Sequence, residues 1–518
     1  MDNRFVIVIG SRNNAQWVES NLNSVLVQDY PNYEVVYFND ASTDDTYEKA
    51  ETLLKGNPRH HIYNVTERKY KTWFFSGIEN DPRINLQDND VLVFLDGDDM
   101  LYAENVLSYL NDIYNKSNCW MTYGGMMVWG GGTFISEPFP QNTVIPPEVI
   151  SNKAYRKDTW RTSHLKTMRG FVWKAIDKAD LFPDGKYMVG PDDLAIMFGA
   201  LELCPPQKVY RVTEPIYLYN HTPENLGSRA FTDHKETKID YETIVRSRTP
   251  YDTIPFVTPT LVGGLGNVMF EVAAAAAVAT DNNAVTLVNN SAHLCPNQGR
   301  NVNNYTNNIL SRLNYDSDIS ANSIFEQEGY LYKPIPYKPN MRISGHFQSW
   351  KYFDHHKDYI QKLFAPTPEI QKELDEKFGW LRDCTSIQIR RGDALSARAV
   401  GYHPVPTLEY IHNAIERVNP TQIVVFSDDI PWCKENMKFD VPCNFDASQG
   451  ELRDYMEIYM MSMCKNVIIS NSTFGWWGAY LNTRPDKTVI APTYWFGPKI
   501  TDHGFDINEL LPNDWIQI

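Results

Sequence analysis

Short apolar runs that end in small and acidic residues recur along this chain, and amphipathic stretches separate them. "RFVIVIG" reads as a first strand, "AQWVESNLNSVLVQ" as a helix, "YEVVYFND" as a second strand and "DVLVFLDGDD" as a later buried strand. That alternation predicts an α/β fold built on a parallel sheet, with ligands gathered at the carboxyl ends of the strands. Three of those ends read "GSRNN", "NDAST" and "DGDD", so polar groups converge on one edge. The alternation resumes in the second half, and 518 residues are long for one core, so two domains are expected. The expected boundaries are residues 1–235 and 257–518. Between them, 236–256 overlaps "KIDYETIVRSRTPYDTIPFVTP", which carries three prolines and no clear period and reads as a linker. The halves share no repeated motif.

A net charge of −16 argues against a general nucleic-acid binder, because phosphate contacts need a basic face. A local anionic ligand held by a few arginines remains compatible with it. No apolar run approaches the ~18 residues of a membrane span. The start, "MDNRFVIVIGSRNN", lacks a cleavable signal pattern. The seven cysteines are scattered, without a CxxC pair or a His/Cys cluster, and read as reduced thiols. These features predict a cytoplasmic protein, of a bacterium or an infected host, able to work at a membrane that carries a lipid-linked acceptor.

In "FLDGDDM", Asp96 and Asp98 are one residue apart, and an extended chain would point both to one side. Two carboxylates with room for water and phosphate oxygens suit Mg²⁺ or Mn²⁺, and such an ion neutralises a leaving diphosphate. A solvated acidic turn capping the next helix explains the same residues. Likewise Asp192 and Asp193, in "GPDDLAIMFGALEL", suit a helix N-cap pair as well as a catalytic base. "VIVIGSRNN", "VVYFNDASTDDT" and "VLVFLDGDDML", in this order, resemble the family-2 glycosyltransferases of GT-A fold over about the first 230 residues. The resemblance implies that Gly10, Ser11 and Asp40 face a nucleoside, that Asp96 lies near the ribose, and that Asp98 ligates a metal. It makes Asp193 the candidate base and His221, in "YNHTPENLGS", a further metal or phosphate candidate. The family's paired aspartates after the second strand are Asn39-Asp40 here, which leaves the base contact on Asp40.

The second half opens on "LVGGLGNVMFEVAAAAAVAT", a strand end, a glycine turn and a helix. Gly263, Gly264 and Gly266 let backbone approach a phosphate at a helix N-terminus, and Ala273 to Ala277 allow close helix packing. In "TSIQIRRGDAL", strand alternation puts Gln388 and Arg390 on one face and Ile387, Ile389 and Arg391 on the other. The two arginines therefore have unequal roles: Arg390 faces a ligand and Arg391 pairs within the fold. A guanidinium gripping a diphosphate makes bonds of about 1.5–3 kcal/mol each. Arg391-Gly392-Asp393 also spells an adhesion motif, but it follows a buried-looking strand.

"GGLGNVMF", "SGHFQSWKYF", "IQIRRGDA", "IVVFSDDIPW", "NVIISNSTFGWWGAYLN" and "KTVIAPTYWF" together resemble the family-11 α-1,2-fucosyltransferases from about residue 260 to the end. The resemblance implies a GT-B-like double Rossmann fold, GDP-fucose as donor, inversion at the sugar carbon and no metal or other cofactor in this domain. It places Gly264, Asn267 and Arg390 at the diphosphate, with Ser472 and Thr473 adding donors and Glu457 near the nucleoside. Three positions depart from the family: Gln388 for a histidine, Val268 for a glutamine and His346 for a tyrosine. Asp393, Glu457 and His346 remain open as the catalytic base.

The expected protein is a bifunctional inverting glycosyltransferase. Its first domain would transfer a hexose, galactose by domain pairing, from a UDP-sugar with a divalent metal. Its second would transfer L-fucose from GDP-fucose to a 2-hydroxyl of the acceptor glycan. The alternative is a glycan or sugar-nucleotide binding protein with one inactive domain, suggested by Gln388 and Val268.

Overall fold

The computed structural model describes residues 2–130, 141–182, 185, 187–188, 190–222, 225, 240–289, 301–392, 395, 401–445, 447, 454–501 and 506–518, and the backbone alone of 134–135, 140, 293–295 and 300. The chain divides into two units, Met1–Ile254 and Pro255–Ile518.

In the first unit, nine strands form one sheet. They are β1 (Phe5–Ser11), β2 (Tyr33–Asp40), β3 (His60–Val65), β4 (Val91–Asp96), β5 (Met100–Leu101), β6 (Met121–Trp129), β7 (Phe134–Ile135), β8 (Lys166–Arg169) and β9 (Val209–Asn220). The order is β3-β2-β1-β4-β8-β6-β9-β5, with β7 beside β6. The expected parallel pairing holds for β3-β2-β1-β4 and for β6 with β9. β8 runs antiparallel to β4 and β6, and β5 antiparallel to β9. Parallel neighbours need a long crossover, usually a helix. Helix Val18–Leu26 supplies one between β1 and β2, whereas β5 follows β4 after only a turn. All seven residues of β1 are buried, as a strand covered on both faces requires.

Residues 236–256, expected as a linker, contain a helix, Tyr241–Ser247, held on the first unit. Arg156 fixes it: its guanidinium donates to Val245 O at 2.7 Å and forms a bidentate pair with Glu202, both bonds 2.8 Å. Arg156 is 3% exposed and Glu202 is fully buried. Prolines at 250 and 255 mark bends in a chain that stays docked, because Glu202 also accepts Tyr251 N at 3.1 Å.

Among its described residues the second unit has a two-stranded antiparallel sheet, His293–Cys295 with Arg300–Asn301, and two all-parallel ones. One runs Asn314–Tyr315, Val285–Val288, Phe256–Pro259, Met341–Ser344, Ser323–Glu326. The other runs Cys443–Asn444, Ile423–Ser427, Thr385–Ile389, Asn466–Ile468, Thr488–Ala491, Ile516–Gln517. Helix Leu265–Asp281 packs on Phe256–Pro259, Val285–Val288 and helix Thr473–Tyr480. Its run Ala273 to Ala277 is fully buried. Trp476 and Trp477 are core residues, also fully buried. No described helix is long and apolar enough to cross a membrane.

Removing one partner of a buried ion pair leaves a charge without its counterpart. Arg156→Ala is therefore expected to destabilise the first unit by about 3–5 kcal/mol in urea unfolding. The paired Arg156→Met, Glu202→Leu change is expected to cost much less.

Candidate functional site

In the first unit, β1 and β4 bring Ser11 and Asp96 to the same sheet edge. The approach is close: a Cβ on Gly97 would lie 2.6 Å from the Ser11 side chain and 2.9 Å from Gly10 O. β4 stops at Asp96, and Asp99 N donates to Asp96 O at 3.1 Å, so residues 96–99 form a tight turn. The extended spacing expected for Asp96 and Asp98 is therefore absent, because the chain reverses between them. Asn21, buried on helix Val18–Leu26, clamps the turn by donating to Asp96 O at 2.9 Å and Asp99 O at 2.7 Å. Asp99 is fixed from the other side by the Tyr217 hydroxyl at 2.6 Å and Asn220 N at 2.8 Å.

The group of potential metal ligands that the fold assembles here is Asp96, Asp99 and His164. Their ligand atoms lie within 4.8 Å of one another. Two carboxylates and an imidazole suit Mn²⁺ or Mg²⁺, and His164 Nδ1 is buried with no hydrogen-bond partner. The residues thus fit a divalent ion, with a different membership from Asp96, Asp98 and His221. Asp98 stands in the turn, where its carbonyl accepts from Asn220 Nδ2 at 3.1 Å. His221 is exposed just beyond β9.

Lysines share this edge. Lys71 pairs with Asp96, and Lys166 pairs with Asp193 at 2.5 Å. Burial acts to raise the Asp96 carboxyl, but Lys71, Lys166 and His164 outweigh it and hold it well below the usual range. Asp193 behaves alike, with burial opposed by Lys166 and His164. Asp192, beside it in the first turn of helix Asp192–Leu203, is pushed up to about 7 by burial and by the charge of Asp193. His164 is pushed down to about 4, chiefly by burial and Lys166. Asp40 is buried, and its carboxylate accepts Lys69 N at 2.6 Å and Tyr70 N at 3.1 Å. It therefore sets the start of the helix that carries Lys71. Gly10 leaves room for that lysine, since a Cβ there would lie 3.0 Å from Lys71 Cγ.

In the second unit, a cavity of about 570 Å³ opens at the carboxyl ends of the parallel strands. Gly264, Asn267, Gln388, Arg390, Glu457, Ser472 and Thr473 line it, with Phe474, Trp495 and Phe496 as its aromatic wall. Two helix N-termini meet there, of Leu265–Asp281 and Thr473–Tyr480. A Cβ on Gly266 would fall 2.6 Å from the Thr473 carbonyl carbon and 2.7 Å from Phe474 N. Asn267 Oδ1 accepts from the Thr473 hydroxyl at 3.0 Å and Gln348 Nε2 at 3.1 Å, and Trp477 Nε1 donates to Gly266 O at 2.9 Å. Converging helix N-termini beside an arginine form a site for an anion.

The paired arginines separate as strand alternation predicts. Arg390 lines the cavity with Gln388. Arg391 Nε donates to Asp429 at 3.2 Å, and its guanidinium lies 3.6 Å over the Trp432 ring. Gln388 is buried, and its amide oxygen accepts the Ser470 hydroxyl at 2.5 Å. Asp393 lies outside the described residues. Sequence reasoning missed Lys71, His164 and Lys166. The last two stand two apart in "SHLKT", a spacing that puts them on one strand face, but nothing local says that this face meets Asp96 and Asp193.

Comparison with known proteins gives two family matches: Glycosyl transferase family 2 over residues 6–171 and Glycosyl transferase family 11 over 232–516. The O-antigen biosynthesis glycosyltransferase WbnK of Escherichia coli is 32% identical over 188 residues, 34% of this chain and 60% of that protein. An alpha-1,2-colitosyltransferase of Escherichia coli is 31% identical over 300 residues, 51% of this chain and 98% of that protein. Galactoside alpha-(1,2)-fucosyltransferase 1 of Homo sapiens is 26% identical over 166 residues, 28% of this chain and 43% of that protein. Among solved structures, S. aureus TarS 1–349 is 20% identical with a TM-score of 0.31, covering 42% of this chain and 60% of that one. Fucosyltransferase NodZ from Bradyrhizobium is 12% identical with a TM-score of 0.30, covering 44% and 93%.

The contact between helix N-termini leaves no space for a side chain at Gly266. Gly266→Ala is expected to lower the urea midpoint of the second unit, at a cost of about 1–3 kcal/mol. Gly264→Ala is the control, since a Cβ at Gly264 meets nothing within 4 Å. In the first unit, the raised Asp192 carboxyl keeps its proton in the folded state over a pH range where the unfolded chain loses it. That residue therefore costs stability as pH rises from about 4 to about 7. Asp192→Asn is expected to stabilise by about 1–2 kcal/mol at pH 8 and to change little at pH 4, read as thermal midpoints across pH.

Proposed function

Because the chain belongs to glycosyl transferase family 11, with a family-2 domain ahead of it, we propose that it makes two successive sugar transfers. The second domain transfers L-fucose from GDP-fucose to a 2-hydroxyl. The observation that carries this reading is the pair of helix N-termini converging with Arg390 on one cavity. As the bond from the sugar carbon to the diphosphate breaks, charge grows on the departing oxygens. Arg390 and the amides after Gly264 and Ser472 supply donors for it. Trp495 and Phe496 offer faces for the base, and Glu457 an acceptor for nucleoside hydroxyls or amines.

The first domain transfers a hexose, galactose, from a UDP-sugar. A divalent ion would be held by Asp96, Asp99 and His164 and would supply charge to the leaving diphosphate. Lys71 adds a fixed positive charge beside Asp96. Asp193 is held as a carboxylate by Lys166, whereas Asp192, raised to about 7, has the affinity that suits taking a proton from an acceptor hydroxyl near neutral pH.

A second reading of the second donor is colitose, which is fucose without its 3-hydroxyl. It is favoured by the relative named alpha-1,2-colitosyltransferase, matched over 98% of its own length. Both readings are tested by offering UDP-galactose, GDP-fucose and GDP-colitose with candidate acceptors to the whole chain and weighing the products. Incorporation of fucose supports the first reading, and colitose alone supports the second. Incorporation of neither would sink the claim for that domain. Arg390→Ala is expected to lower the second transfer at least 100-fold while the first continues unchanged. Loss of both would point to general damage.

A further inference from the structure

Helix Leu265–Asp281 carries one carboxylate among side chains that are otherwise nearly all apolar on its buried surface. Glu271 is fully buried, with Phe270 and Val272 beside it and the alanine run following. An isolated carboxylate in such a place is costly, so its partners are informative. Its Oε2 accepts Val262 N at 2.9 Å. Its Oε1 lies 3.3 Å from His346 Nδ1. Both partners stand two residues in sequence from residues that line the cavity, Gly264 and Gln348. Val262 precedes the glycine turn that leads into Gly264, and His346 stands two residues before Gln348, whose amide reaches Asn267. Asn267 is one helical turn before Glu271, on the same face of the helix. The imidazole is 40% exposed, so one ring nitrogen is engaged inward while the ring remains open to solvent.

Among the described acids that line the cavity, Glu457 is read above as a nucleoside contact, and the other two are occupied. The Asp428 carboxylate accepts Arg391 N at 2.8 Å and Gly392 N at 3.0 Å. Asp454 accepts the Tyr305 hydroxyl at 2.7 Å. Gln388 is an amide and takes no proton.

We propose that His346 is the general base of the second domain's transfer and that Glu271 is its positioning residue. The proposal rests on reading that domain as a transferase of fucose or its 3-deoxy analogue. Nδ1–H donates to the Glu271 carboxylate, which fixes the tautomer that leaves the Nε2 lone pair facing outward. In the transfer, Nε2 takes the proton of the acceptor 2-hydroxyl while its oxygen bonds to the sugar carbon. The bond from that carbon to the diphosphate oxygen breaks, and its electron pair leaves with GDP. The imidazolium, stabilised by Glu271, returns the proton to water. Burial pushes the Glu271 carboxyl up to about 7, with His346 and the Val262 amide pulling it down.

The test uses the full chain, GDP-fucose or GDP-colitose, whichever it transfers, and a galactoside acceptor. His346→Ala is expected to lower kcat about 100-fold or more, with GDP affinity by calorimetry within about twofold of wild type. Added imidazole is expected to restore part of the His346→Ala rate, which a purely structural role would not allow. Glu271→Gln, which keeps an acceptor for Val262 N, is expected to lower kcat about tenfold or more with KM for the donor little changed. Transfer by His346→Ala within threefold of wild type would overturn the base. So would loss of GDP binding together with activity in both variants. A wild-type chain that transfers neither sugar would overturn the reading of the domain, and the base with it. The two failures are thus told apart by whether the wild type is active.

Discussion

The second unit turns on the contact of Gly266 with the backbone of Thr473 and Phe474. Two helices aim their N-termini at the same space, and only a residue without a side chain lets them come that close. Everything around the cavity follows from that approach. Asn267 is near enough to bond Thr473, Trp477 can reach Gly266 O, and the alanine face of the long helix lies flat on its neighbours. Unpaired amides that would cost energy in an apolar interior are gathered where an anion can satisfy them.

The first unit meets the same need for charge by other means. Its strand ends carry carboxylates, and two lysines and a histidine are brought against them. Such a cluster is stable only because each carboxylate is positioned from behind, Asp96 and Asp99 through the Asn21 clamp and Asp40 through the amides at Lys69 and Tyr70. Close charges pull neighbouring aspartates apart in proton affinity: burial and the charge of Asp193 push Asp192 up, while Lys166 and His164, against burial, hold Asp193 down. The two units therefore gather charge with different materials, carboxylates against lysines and a histidine in one and helix ends with an arginine in the other.

Much of this was legible in the residues. The glycine turn before the alanine helix, the alternation that separates Arg390 from Arg391, and the polar ends of β1, β2 and β4 each follow from local chemistry, and each is found in its expected element. The readings that changed depended on backbone direction or on distant partners. Asp96 and Asp98 were expected to share a face, but the chain turns between them. His164, close to no motif in sequence, is the imidazole grouped with Asp96 and Asp99. The prolines after Ser247 suggested an open tether, but Arg156 and Glu202, far back in the chain, hold that segment down.

The sequence by itself determined the two α/β units, the strand ends at which polar groups collect, and the glycines on which the cavity of the second unit is built. These depend on periodicity and on the steric freedom of single residues, which are local properties. Only the tertiary structure decided which side chains of opposite charge meet, in which directions the proton affinities of two adjacent aspartates move, and that a buried glutamate stands behind His346. Those outcomes depend on burial and on distances between segments remote in sequence, and no spacing along the chain encodes them.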